Sequence, residues 1–173
     1  MYLKRVLSSG ILTYMNEIKI RKATIDDLRT IQELNHELCI KENKELDDTI
    51  NTEYSLSESG KKYFKWRIEG ADSIALIAED NGKAIGYLVG AFIETFDYST
   101  VKRLAEAENM YIQDSYRGKG IGGMLIKEFK EWCRAGGAER IRYVASAGNI
   151  EAIGFYKKHG AKEVSVTLEE SLI

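Results

Sequence analysis

An α/β domain with a mixed central β-sheet flanked by helices is the fold class this sequence of 173 residues predicts, on three observations. Two apolar segments of strand length, 73–79 and 84–96, flank Asp80-Asn81-Gly82-Lys83, and Asn-Gly supplies the positive φ a tight hairpin needs. A glycine-rich stretch then joins an apolar strand at 105–112 to an amphipathic helix. A second strand–helix unit follows at 141–159. Parallel pairing requires such crossovers, whereas the hairpin is antiparallel, so the sheet is mixed.

The remaining elements follow in order. Residues 17–22 alternate Ile18 and Ile20 with polar side chains and read as a short strand. Thr24 followed by Asp26 and Asp27 is a helix start, and Leu28, Ile31, Leu34 and Leu38 carry that helix from about 25 to 40. The segment 41–60 is polar and acidic, and a weaker helical pattern runs over 58–68. The helix after the glycine-rich stretch has Ile121, Met124, Leu125, Phe129 and Trp132 as its apolar stripe and ends at Gly136-Gly137. Residues 141–145 read as a strand, 149–159 as a helix stopped by Gly160, and 161–168 as a final strand. No repeat or linker divides the chain, so 17–173 forms one domain, preceded by an extension at 1–16.

Composition narrows the function classes. Lys+Arg 25 against Asp+Glu 27 leaves a net charge of −2, which argues against general nucleic-acid binding. Two cysteines, Cys39 and Cys133, make neither a disulfide framework nor a four-thiolate metal site. Ser8, Ser9 and Gly10 interrupt any signal-peptide core, and no stretch approaches the roughly 20 apolar residues of a membrane helix; a cytoplasmic protein is expected. Proline is absent, against an average usage of about 5%.

Arg117-Gly118-Lys119-Gly120-Ile121-Gly122-Gly123 carries the most chemistry. Glycines between a strand and a helix let backbone N–H groups approach a ligand, and the helix start adds its positive dipole end, a site suited to phosphate. Arg117 and Lys119 strengthen the preference for an anion. Gly118, Gly120 and Gly123 satisfy the dinucleotide spacing G-x-G-x-x-G, but the acid expected about 20 residues on would be Glu139, which lies before its strand, and too little chain follows for a doubly wound sheet. The glycine–lysine–hydroxyl order of a P-loop is lacking.

Read as R-x-x-G-x-G, Arg117 to Gly122 resembles the pyrophosphate loop of the GNAT superfamily of acetyl-CoA-dependent N-acetyltransferases. Asn149, Ala152, Phe155, Tyr156 and Gly160 fit that family's N-x-x-A-x-x-F-Y-x-x-x-G helix, and Asn109-Met110-Tyr111-Ile112 stands where the family often has Leu-Tyr-Val. The resemblance covers about 17–168. It implies acetyl-CoA as cosubstrate, without a metal. Backbone groups of Met110, Tyr111 and Ile112 would pair with the pantetheine arm, and N–H groups of Arg117, Gly118, Lys119, Gly120, Ile121, Gly122 and Gly123 would hold the pyrophosphate. Asn149 would bind the pantetheine region, and Tyr156 would sit near the sulfur. A homodimer is expected by the same analogy. The family commonly has proline where Asp114 stands, so a less rigid turn is expected here.

Attack of an amine on a thioester needs a base, an oxyanion donor and an acid for the departing thiolate. Glu106 and Glu108 alternate onto one face of the strand, and either could take the proton; Glu106 is preferred. A strand N–H near Met110–Ile112 suits the oxyanion, and Tyr156 suits the acid. Cys133 reads as a buried thiol and His159 as the last turn of its helix; Tyr63, Phe64 and Trp66 either line a substrate wall or pack, and core is preferred. Glu42, Glu45, Asp47, Asp48, Glu94 and Asp97 favour a cationic amine, so a small amine or polyamine is the expected acceptor. A protein N-terminal acetyltransferase remains an alternative, lessened by Val144 where that type often has glutamate. A non-catalytic acetyl-CoA-binding module is a second alternative.

Overall fold

The structure, a computed structural model, describes residues 18–172; the expected extension at 1–16 lies outside them. Five strands, β1 (Ile18–Lys22), β2 (Ser73–Asp80), β3 (Lys83–Ile93), β4 (Leu104–Ile112) and β5 (Arg140–Tyr143), form one sheet in the order β1-β2-β3-β4-β5. The first three pairings are antiparallel and β4–β5 is parallel, giving the expected mixed sheet. The β2–β3 turn forms as the Asn-Gly pair requires, with Asn81 at φ 50° and Gly82 at φ 80°.

Helices cover both faces, which is why β2 and β3 are buried over most of their length instead of alternating with solvent. On one face α3 (Ile121–Ala135) packs Ile121, Leu125 and Phe129 against Leu76, Leu88, Ala105 and Ala107. Phe155 and Tyr156 of α4 (Ile150–Lys158) join that cluster. On the other face α1 (Leu28–Glu45) and α2 (Glu58–Glu69) pack Ile31, Leu34, Phe64 and Ile68 against Ile77, Tyr87, Val89 and Tyr111. The start of α1 is tied to the sheet by ions. Arg21 donates to Asp27 at 2.6 and 2.7 Å and to Glu79 at 2.7 Å, while the Thr24 N–H donates to Asp27 at 2.8 Å.

Several element limits differ from expectation. α1 continues past 40 to Glu45, since nothing there breaks a helix and Lys41 sits near Glu45 at 4.0 Å, one turn on. This extension places Glu42 on a helix. β3 ends at Ile93, and Phe96 stacks on Tyr98 at 5.1 Å in the exposed connection that follows. β5 covers 140–143 in place of 141–145. The expected final strand at 161–168 does not form: these residues are in neither strand nor helix. Its alternating Val164, Val166 and Leu168 all remain exposed, because a period-2 pattern encodes a strand only where a sheet edge meets it.

Candidate active site

Two features of β4 shape the site. Its register against β3 shifts, with Val89 opposite Asn109 and Gly90 opposite Ala107, so Glu108 has no residue facing it. This β-bulge reverses the phase of the strand. Ala105 and Ala107 face the α3 side before it, Met110 and Ile112 face that side after it, and Glu106, Glu108, Asn109 and Tyr111 are left to the α1–α2 side. The second feature is the short partnership with β5, which spans only Leu104–Ala107 against Arg140–Tyr143. From Glu108 to Ile112 the β5-facing edge of β4 has no strand beside it among the described residues.

On the α1–α2 side lies a cleft of about 410 Å³, lined by Asn35, Cys39 and Glu42 from α1, by Tyr54, by Tyr63 from α2, and by Glu106, Glu108 and Asn109 from β4, among others. A hydrogen-bonded chain runs along it. Asn35 donates to the Tyr87 hydroxyl at 2.7 Å, Tyr87 to Asn109 Oδ1 at 2.9 Å, Asn109 Nδ2 to the Tyr63 hydroxyl at 3.2 Å, and Tyr63 to Glu108 Oε2 at 2.7 Å. Arg67 completes it by gripping both oxygens of Glu108, through Nε at 2.6 Å and through Nη2. Burial and the Glu108 charge push the Tyr63 phenol well up.

The two candidate bases therefore sit in different surroundings. Glu108 accepts from three donors on two side chains. Glu106 has one long contact, Arg142 Nη1 at 3.4 Å. Burial lifts its carboxyl above the ordinary carboxylate range, and the Arg142 charge draws it partly back. Glu42 is raised too, by burial, and faces no cation within ion-pair distance among the described residues.

Tyr156 approaches from α4. Its ring stacks on Tyr143 at 4.6 Å and meets Phe155 edge-on at 5.4 Å. Burial, aided by the charge of Glu42, pushes its phenol up to about 12.

The glycine-rich turn divides its labour. Gly118 and Gly120 hold φ of 73° and 82°, and this left-handed backbone calls for glycine, while the place a Cβ would occupy is open space. Gly122 and Gly123 instead allow α3 and α4 to approach, since a Cβ would lie 3.1 Å from the Phe155 ring and 3.2 Å from His159 Nε2 respectively. Among the described residues no side chain caps the start of α3. Arg117 turns back from the loop: its Nε donates to the Ile112 carbonyl at 3.0 Å and pairs with Asp114 at 3.1 Å, and its guanidinium lies over Tyr111. Lys119 rests over Tyr116.

Asp114 also faces Lys41 at 3.5 Å, so two ion pairs stand where the family's proline would fix the turn. Asn149 uses its side-chain oxygen to cap α4, accepting from the Ala152 N–H at 3.0 Å. Cys133 is buried, with its thiol pushed up to about 12. His159 ends α4 before Gly160 at φ 96°. Phe64 is core, but Trp66 is exposed and lies against Arg67 at 4.4 Å, because the apolar face of α2 passes through Phe64 and Ile68. Sequence reasoning missed Asn35, Tyr87, Asn109 and Arg67. Their polar groups meet across four elements, and no local spacing signals that.

The model of the acetyltransferase (GNAT) family matches residues 39–161. An uncharacterized N-acetyltransferase of Bacillus subtilis is 28% identical over 106 residues, 61% of this chain and 70% of the relative. A thialysine N-epsilon-acetyltransferase of Bos taurus is 29% identical over 153 residues, 86% of each chain. The crystal structure of an aminoglycoside N-acetyltransferase in complex with CoA shares the fold, with a TM-score of 0.74 over 93% of this chain and 98% of that one, at 15% identity. Among the described residues no helix is long and apolar enough to cross a membrane. The match over 39–161, which includes the glycine turn and the open segment of β4, establishes that the chain belongs to the GNAT family of N-acetyltransferases and is an acyltransferase.

Proposed function

We propose that the chain moves an acetyl group from acetyl-CoA to a primary amine of a small cationic molecule, by direct attack within the acidic cleft. The observation that carries this reading is the cleft itself. It holds one clamped carboxylate and two raised ones, Glu106 and Glu42, beside the strand segment left open by β5. Carboxylates with so little local compensation favour an ammonium.

The fit to acetyl-CoA rests on three features: the unpaired edge of β4 at Met110, Tyr111 and Ile112, the open space over Gly118 and Gly120, and the uncapped start of α3. Backbone N–H groups from Arg117 to Gly123 would take the pyrophosphate. With their side chains folded onto Tyr111 and Tyr116, Arg117 and Lys119 contribute mainly by shaping the loop and by their field. Asn149, its oxygen engaged as a cap, retains its amide N–H groups for the pantetheine region. When bound, acetyl-CoA supplies the activated thioester.

Glu106 accepts the proton of the incoming amine, directly or through a water. Its raised carboxyl is a better match to that task than an ordinary one, and its single long contact leaves lone pairs available. Glu108, saturated by Tyr63 and Arg67, positions the strand. Tyr156 stays protonated at any physiological pH and donates a hydrogen bond to the departing sulfur. Complete proton transfer from a phenol near 12 to a thiolate whose acid is near 8.5 would be uphill by about 3–4 units, so hydrogen-bond donation is the larger part of its role.

The test is CoA thiol release with a panel of polyamines, lysine analogues, aminoglycosides and peptides with free N-termini, in wild type and Tyr156→Phe. The expected result is acceleration by a small amine, reduced on the order of tenfold or more by Tyr156→Phe with acetyl-CoA binding unchanged. Release that no amine accelerates would refute the reading, and acceleration by peptides alone would move it to protein N-termini.

A further inference from the structure

Tyr87 on β3 is the largest side chain fully removed from water among the described residues, and it carries a hydroxyl. It lies in the apolar cluster of Ile31, Ile77 and Val89, with Phe64 edge-on at 6.4 Å. A phenylalanine would fill that place with no polar group to satisfy. The hydroxyl is instead engaged on both sides, accepting from Asn35 Nδ2 and donating to Asn109 Oδ1. Asn35 is oriented in turn by the Cys39 thiol, which donates to its oxygen at 3.5 Å. Burial raises the Tyr87 phenol well above its ordinary value, so the proton that Asn109 receives stays in place at physiological pH. In the register Tyr87 faces Tyr111, which makes Asn109 its diagonal neighbour on β4.

Asn109 has two faces open to it. Without the bulge, plain alternation after Ala105 and Ala107 would turn it to the α3 side, among Leu88, Ile121, Leu125 and Ile126, whose side chains cannot bond an amide. With the bulge it turns to the α1–α2 side, where Tyr87 donates to its oxygen and its Nδ2 donates to the Tyr63 hydroxyl. A buried amide left unpaired is costly, so the two tyrosine hydroxyls select the bulged register. The bulge in turn delivers Met110 and Ile112 to the apolar α3 side.

We infer that Tyr87 is a positioning residue for acetyl transfer: by holding Asn109 turned inward, its hydroxyl fixes the β4 bulge, and with it the placement of Glu106 relative to the edge at Met110, Tyr111 and Ile112. The inference rests on the reading of Glu106 as the base and of that edge as the seat of the pantetheine arm. Glu106 stands before the bulge and the edge stands after it. The inserted residue corresponds to about 3.3 Å of strand. A strand that samples the bulge-free register therefore carries the base out of line with the reacting carbonyl, and a misplacement of about 1 Å already costs on the order of a hundredfold in rate. Tyr87 itself does not line the cleft, so it acts through Asn109 and touches no substrate.

The experiment combines steady-state kinetics, using acetyl-CoA and the amine that most accelerates thiol release, with amide exchange followed by NMR. Tyr87→Phe keeps the ring and removes only the hydroxyl. It is expected to lower kcat about tenfold or more while KM for acetyl-CoA stays within about threefold, since the glycine turn is untouched. Amides at 88–90 and 107–110 are expected to exchange about tenfold or more faster. Asn109→Ala removes the other end of the same hydrogen bond and is expected to produce both changes. Ile77→Val trims the same cluster directly opposite Tyr87 and reads general loosening; assayed below its melting transition, it is expected to stay within about threefold of wild type in kcat and exchange. Unchanged kcat in Tyr87→Phe and Asn109→Ala overturns the inference, with or without faster exchange. So does an equal loss of kcat in Ile77→Val. Exchange needs no substrate and does not depend on which group is the base, so unchanged exchange is a failure of the inference alone. An acidic limb of the pH–kcat/KM profile retained by Glu106→Gln is a failure of the underlying reading, and the positioning argument falls with it.

Discussion

Arg67→Met tests whether Glu108 is a positioning carboxylate held by charge. Both side chains are largely removed from water, with 11% and 14% of their surface exposed, and Arg67 binds both Glu108 oxygens. Removing one partner of a buried pair costs about 3–5 kcal/mol, because the remaining charge keeps its desolvation penalty without compensation. Tyr63 continues to donate to Oε2, so the lower end, about 3 kcal/mol, is expected. For a domain of this size that corresponds to a fall in Tm of about 6–12 °C. Urea and thermal denaturation of Arg67→Met, Glu108→Gln and the double variant complete a cycle. The double variant should be less destabilised than the sum of the singles by about 2 kcal/mol, since it strands no charge. A single variant within about 0.5 kcal/mol of wild type would refute the reasoning, as would a coupling near zero.

Three further outcomes are expected. Glu106→Gln should lower kcat by about 10²-fold or more and abolish the acidic limb of the pH–kcat/KM profile, which in wild type falls as pH drops through a carboxyl raised above its ordinary range; a retained limb would return the base to another group. Gly120→Ala meets no steric obstacle but forces a left-handed φ of 82° on an L-residue, costing about 1–2 kcal/mol. It should raise the KM for acetyl-CoA, whereas Gly154→Ala, in open space on α4, should be neutral or stabilising by up to about 1 kcal/mol in thermal melts. Asp27, whose carboxyl is held at about 2 chiefly by the hydrogen bonds from Arg21, has a folded value below its unfolded value near 3.9. Its contribution is present above pH 3.9 and is lost as pH falls toward 2. After solvent screening this is about 1 kcal/mol, so Asp27→Asn should lose about that at pH 7, with the difference shrinking as pH falls through about 2 in acid-titrated melts.

The fold was legible where local chemistry decides it. Asn81-Gly82 sets the hairpin, Gly118 and Gly120 set a left-handed turn, and Gly160 ends α4; each is a backbone conformation tied to residue type. The apolar stripe of α3 declared its buried face through Ile121, Leu125 and Phe129, whereas Met124 of the same stripe is exposed, and Cys133 is the buried thiol that the sequence reading expects. Legibility stopped where the answer depends on distant partners. The strand pattern at 161–168 is as regular as that of β1, yet β1 finds β2 and the later segment pairs with no strand among the described residues. Trp66 and Phe64 are two residues apart in an aromatic cluster, and only the placement of α2 against the sheet buries one and exposes the other.

The bulge at Glu108 explains why strand alternation could not choose between the two glutamates. Period-2 reasoning puts 106, 108, 110 and 112 on one face. The extra residue breaks that series after 108 and turns Asn109, which alternation assigns to the α3 side, onto the α1–α2 side. There Asn109 links Tyr87 to Tyr63, and Tyr63 with Arg67 occupies Glu108. The bulge thus builds the polar network that clamps Glu108, and in doing so it leaves Glu106 as the β4 carboxylate with open lone pairs. It also coincides with the end of the β4–β5 pairing. One inserted residue accounts for both the clamped carboxylate and the point at which the strand's edge becomes available to a ligand.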